Sequence, residues 1–224
     1  MHSDYLIRLA ENKYNRLLTV LMGLIVAAVL PQSYDGVKTI GFMLCLVVML
    51  VVMYQINPGK QWMRFYRWLV LGSLLLLTLK ILGLFSISLM QYGQIGIQFL
   101  VFILMGLPIV PIQREIFLTE KVTADTLKGA IAVYLLIGIA WAMIYTIVYR
   151  FDALAFNGIS SFQQEADFLH FSFITLTTVG YGNITPVTSF ARIPADLEAI
   201  IGVMYPSILI ARLVSLYNTK AQEL

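Results

Sequence analysis

The chain has 224 residues, 59% of them hydrophobic and 12% charged, with a mean hydropathy of +0.83. A soluble domain of that composition could not cover itself with polar surface, so the chain is expected in a bilayer. The formal charge of +3 has no basic arm behind it, which argues against a nucleic-acid partner, and the single Cys45 excludes an intrachain disulfide framework and reads as packing.

Residues 1–16 mix acids and bases ahead of the first apolar run, too long and too acidic for a signal-peptide start, so the first helix is expected to be retained. Apolar stretches of the roughly 20 residues needed to cross a bilayer follow near 17–31, 37–56, 66–88, 94–112, 127–149 and 192–217. Their separators are Pro31 to Asp35, a polar patch from Pro58 to Arg67, a nearly uncharged turn at Gln91 to Gln94, and a charged segment from Gln113 to Lys128. Lys and Arg concentrate at the two ends, in the 58–67 patch and in the 113–128 segment, against only Lys38, Arg150 and Arg192 on the opposite side. By the positive-inside rule both termini are expected to be cytoplasmic in a multi-pass protein of the cell membrane. The expected parts are a four-helix N-terminal membrane domain over 1–112, a linker helix over 113–127, a pore domain over 128–217 and a short tail over 218–224.

Lys80 lies inside the third apolar stretch and reads either as a snorkelling or ion-paired base or as a residual sensing charge. The fourth stretch carries no base before Arg114, so a charged voltage sensor is not expected there and voltage gating should be weak or absent.

Between the fifth and sixth stretches, residues 168–186 form an apolar segment of about ten residues, too short to span, followed by Thr177-Thr178-Val179-Gly180-Tyr181-Gly182. Irregular backbone is tolerated at membrane depth only where it lines a protein-enclosed or watery path, so a re-entrant loop is expected. A dehydrated monovalent cation needs a cage of oxygens, which successive carbonyls of an extended segment can supply. Gly180 and Gly182 allow the necessary backbone angles, Thr178 can add a hydroxyl, and Val179 and Tyr181 are expected to point away and pack the segment against its support. One such segment cannot enclose an ion, whereas four around an axis can.

This run closely resembles the selectivity filter of the potassium-channel family. The resemblance implies an all-α membrane protein of six transmembrane helices, with a re-entrant pore helix and filter between helices five and six, assembled as a homotetramer. It implies K+ held at Thr178, Val179, Gly180 and Tyr181, with Gly182 closing the filter, membrane lipids as neighbours, and no cofactor or catalytic role. Gly202, about twenty residues beyond the filter, matches the family's inner-helix glycine, and with Pro206 it forms either a candidate gating hinge or a fixed kink. Arg192 is in register with an Arg of related bacterial channels, and Val122 to Trp141 resembles a bacterial subfamily with four extra N-terminal helices.

Asn183 stands where many members carry Asp, and His170 and Phe171 replace a Trp pair. Phe171 cannot donate a hydrogen bond to the Tyr181 hydroxyl, so the aromatic cuff must be held differently. His170 is expected either to donate to Asn183 behind the filter or to face outer water. Glu198, one turn before Gly202 in an apolar helix, is expected to brace the pore helix through Ser172, Thr175 or His170; the alternatives are a protonated, silent side chain or one reached by water. The competing functional readings are a potassium transporter subunit and a nonconducting membrane scaffold. Related transporters carry four pore loops with degenerate filters, and this chain carries one intact loop.

Overall fold

The structure, a computed structural model, describes residues 13–28, 30, 35–82, 87–119, 123–160 and 163–222. Five helices come first: α1 (Lys13–Ala28), α2 (Asp35–Ile56), α3 (Lys60–Ile81), α4 (Ile87–Gly106) and α5 (Ile109–Leu118). They are followed by α6 (Ala124–Phe151), β1 (Phe156–Asn157), α7 (Gln164–Leu176), β2 (Thr185–Pro186) and α8 (Ser189–Gln222).

Among the described residues, four stretches are long and apolar enough to cross a membrane: Gly36–Ile56, Gln98–Leu118, Ala124–Phe151 and Ser189–Ser215; Tyr14–Ala28 is apolar but shorter. The chain is a multi-pass membrane protein. The third expected span falls short of that measure because Lys60, Arg64 and Arg67 occupy the first turns of α3. The side chain of Lys80 and residues 1–12 lie outside the described residues.

Several boundaries differ from the sequence expectation, α3 ending at Ile81 rather than near 88. Gln91 to Gln94, expected as a turn, sits inside α4, because uncharged Gln is a good helix former and the residues before it already propagate a helix. The fourth span also stops at Gly106, and a turn at Leu107 and Pro108 sends the chain into the shorter α5. Pro108 has no N–H to continue the ladder of α4.

α5 lies against the body through Pro111, Ile112 and Ile116. Tyr14 Oη donates to Glu115 Oε2 at 2.7 Å, and Arg212 Nη2 donates to the carbonyl of Phe117 at 3.3 Å, so this short helix touches both the first and the last helix. α6 opens with a capping box in which Thr123 accepts from the N–H of Thr126 at 3.1 Å. It is the most buried of the long helices and packs against α1, α4, α5, α7 and α8.

One core joins the N-terminal helices to α6 through Tyr14, Leu17, Leu46, Tyr66, Leu104 and Leu136. A second lies behind α7, around Tyr145, Phe156, Phe168 and Phe171. The rings of this second core meet edge to face, with Tyr145 and Phe171 centroids 4.8 Å apart and Phe156 and Phe168 centroids 5.2 Å apart. Phe171 therefore spends its ring on the chain's own core rather than on Tyr181.

Candidate functional site

α7 has 13 residues, about 20 Å at 1.5 Å per residue, which is shorter than a hydrocarbon core. Glu165 and Asp167 occupy its first turn, where acids complement the helix dipole, and Asp167 Oδ2 accepts from the N–H of Ser160 at 2.6 Å. The segment that follows folds its donors back onto the helix it leaves. The N–H groups of Thr177, Thr178 and Gly180 donate to the carbonyls of Phe173, Thr175 and Ile174 at 3.0, 2.9 and 3.1 Å.

φ is +59° at Thr178, +55° at Gly180 and +76° at Gly182, and it is not positive at Val179 or Tyr181 between them. This alternation of backbone hand lets successive carbonyls face one side, which a regular strand cannot do. The two glycines take the left-handed region without a Cβ penalty, while Thr178 takes it at a cost in backbone strain. A Cβ added at Gly180 or Gly182 would meet nothing within 4 Å. All five residues from Thr178 to Gly182 are exposed. Val179 was expected to pack against a support, yet no support covers it in the single chain.

The ring of Tyr181 lies parallel to that of His170, centroids 6.1 Å apart and planes 7° apart. His170 Nε2 is also 3.3 Å from Asn183 Nδ2. An amide nitrogen can only donate, so Asn183 is the donor and His170 the acceptor, the reverse of the direction expected from the sequence. Beyond Asn183 the chain is clamped. β1 and β2 pair antiparallel, Phe156 opposite Pro186 and Asn157 opposite Thr185. Val187 N–H donates to the carbonyl of Ala155 at 2.8 Å, and Arg192 Nε donates to the carbonyl of Pro186 at 3.3 Å.

Glu198 is fully buried in α8. Its Oε1 is 2.5 Å from Ser172 Oγ on α7, and its Oε2 accepts from the hydroxyl of Tyr145 on α6. Ser172 Oγ is also 2.7 Å from the carbonyl of Gly138. Three helices thus meet at one carboxyl group. Of the three partners expected for Glu198, Ser172 is the one it meets; Thr175 donates to the carbonyl of Phe171 at 2.8 Å, and His170 meets Asn183. Tyr145 is the residue sequence reasoning missed. A hydroxyl-bearing ring amid the apolar 127–149 stretch was the available signal, since a buried phenol needs a partner.

Gly202 is buried in an unbroken α8 that runs on through Pro206. A Cβ on Gly202 would lie 1.8 Å from the carbonyl oxygen of Leu176, the last residue of α7. The same carbonyl accepts from Tyr134 Oη at 3.1 Å. The glycine is required for close approach of α8 to the C-terminal end of α7.

A family model described as "Ion channel" matches residues 129–218, which contain this whole arrangement. Protein LctB of Bacillus caldotenax is 31% identical over 102 residues, 43% of this chain and 75% of that protein. No solved structure matches the chain. With a relative aligned over three quarters of its length and the channel domain matched across α6 to α8, the chain belongs to the ion channel family.

Proposed function

We propose that the chain is one subunit of a homotetrameric, potassium-selective channel of the cell membrane, with six membrane-spanning helices and both termini cytoplasmic. Permeation is passive, and no step of catalysis enters it. The observation that carries this reading is the backbone of Thr178 to Gly182. Its φ alternates in sign and the N–H groups leading into it bond back to α7, which leaves carbonyls free to replace the hydration shell of a K+ ion.

The fourfold ring follows from what one copy leaves open. A single filter segment exposes Val179 and Tyr181, and α8 buries far less of its apolar length than α6 does. Copies arranged around an axis would cover Val179 and the exposed face of Ile193, Leu197, Ile200 and Met204, and would bring four sets of carbonyls onto one line. His170 and Asn183 hold the outer end of the filter. Glu198 holds α7 to α6 and α8, and Gly202 with Pro206 is the point at which α8 bends in gating.

The test is cation flux into liposomes that contain the purified full chain. Uptake of K+ that barium blocks and that is lost in Gly180→Ala supports the reading. Equal K+ and Na+ uptake, or uptake unchanged in Gly180→Ala, overturns it.

A further inference from the structure

β1 ends at Asn157, and Gly158 follows it with φ at +85°. A Cβ on Gly158 would lie 2.0 Å from the carbonyl oxygen of Asn183, 3.1 Å from its carbonyl carbon and 3.3 Å from Ile184 Cα. The main chain ahead of α7 thus lies directly on the main chain that leaves the filter segment. A side chain at 158 is opposed both by that contact and by the backbone angle.

The loop is held on both sides of Gly158. Before it, Ala155 and Phe156 are buried, and the Phe156 ring meets those of Tyr145 and Phe171 with centroids 5.7 and 5.6 Å away. Asn157 pairs opposite Thr185. After it, Ser160 donates its N–H to Asp167 Oδ2 in the first turn of α7, at 2.6 Å. Across the contact, Ile184 is buried. Asn183 is exposed, and its side chain reaches His170 Nε2 at 3.3 Å, just past the ordinary hydrogen-bond range. Asn183 is therefore the member that yields to a methyl group at 158, and it follows directly on Gly182. The other end of the filter segment is held separately, by the N–H groups of Thr177, Thr178 and Gly180 on carbonyls of α7.

We propose that Gly158 is a positioning residue for the Asn183 end of the filter. By letting the loop ahead of α7 seat on the Asn183 carbonyl, it sets the depth of Asn183 and so the placing of the Tyr181 and Gly182 carbonyls, the last filter oxygens on that side. The inference rests on the reading of Thr178 to Gly182 as a potassium filter. It gives the two ends of that filter different supports. The Thr178 end depends on α7, and the Gly182 end depends on α7 through His170 and on the loop through Gly158.

The test is barium block of the K+ current of the full chain in planar bilayers, with barium applied to the Asn183 face and, separately, to the opposite face. Gly158→Ala should weaken block from the Asn183 face about tenfold, near the most that losing one hydrogen bond does to an equilibrium, and leave block from the opposite face as in the parent. Asp167→Ala frees Ser160 and lets the loop lift from Asn183, so it should act in the same direction by less, and it carries the test if Gly158→Ala does not assemble. Gly129→Ala, whose Cβ would lie 2.9 Å from the Tyr14 ring at the opposite end of α6, should melt lower than the parent and keep both blocks unchanged, which separates positioning from a general loss of stability. Block from the Asn183 face that stays at the parent's value in Asp167→Ala and in any assembled Gly158→Ala overturns the inference and leaves the potassium reading standing, as does equal weakening from the two faces. A parent protein that passes K+ and Na+ alike overturns the potassium reading and this inference with it.

Discussion

Tyr145 on α6 donates its hydroxyl to Glu198 on α8, and Ser172 on α7 meets the other oxygen of the same carboxyl group. Ser172 has one hydroxyl proton and two oxygens within reach, the carbonyl of Gly138 and Glu198 Oε1. A carbonyl cannot donate. If Ser172 gives its proton to Gly138, the proton in the second contact belongs to Glu198.

Glu198→Gln reproduces that arrangement, with the amide nitrogen donating to Ser172 and the amide oxygen accepting from Tyr145. It should assemble, melt and select ions like the parent. Glu198→Ala should melt well below it and lose selectivity, since it strands the Tyr145 hydroxyl at about 1–3 kcal/mol and removes the contact between Ser172 and α8. Tyr145→Phe should fall between. Melting of the purified assembly and flux ratios check the order; a Glu198→Gln protein as damaged as Glu198→Ala would contradict it.

Gly202→Ala should fail by collision rather than by stiffness. Its Cβ would lie 1.8 Å from the carbonyl oxygen of Leu176, so α8 must move off α7, at a cost of about 1–3 kcal/mol for overpacking. The expected result is a lower melting temperature and disturbed selectivity. A protein of normal stability that is merely slow to open would point to the hinge role alone.

His170 contributes a stacked ring to Tyr181 and an acceptor to Asn183. His170→Phe keeps the first and loses the second, and His170→Ala loses both. Each contact is worth about 0.5–1.5 kcal/mol before solvent weakens it at this exposed site. Inactivation of the current should therefore quicken in His170→Phe and quicken further in His170→Ala. Equal rates in all three proteins would show that neither contact holds the filter.

The fourth apolar stretch carries no base before Arg114. Each elementary charge crossing the field contributes about 2.3 kcal/mol per 100 mV, so open probability should change little over that interval. Tail-current measurements in planar bilayers check this; a steep activation curve would assign sensing charge to another segment.

The alternating backbone from Thr178 to Gly182 was partly legible in the sequence, because Gly180 and Gly182 are residues that take a positive φ without a Cβ penalty. Buried Glu198 was legible as a costly residue in an apolar helix, but its partner Tyr145 stands 53 positions away and no local pattern joins them. The paired strands at Phe156–Asn157 and Thr185–Pro186 are two residues each, too short to show a period. The turn expected at Gln91 to Gln94 failed for a related reason, since a few polar residues do not end a helix when none of them breaks its hydrogen bonds. The left-handed Thr178 was hidden as well, because threonine gives no sign in sequence of a positive φ.

The central claim is that the carbonyls of Thr178 to Gly182, gathered from four copies, select K+. Its most direct test is the reversal potential of the purified channel in a planar bilayer with K+ on one side and Na+ on the other. The account predicts a potential beyond about 59 mV in magnitude, the value of a tenfold preference for a monovalent ion, in the direction of K+, and its collapse toward zero in Gly180→Ala. A reversal potential near zero in the parent protein, from a current that Gly180→Ala leaves unchanged, would contradict it.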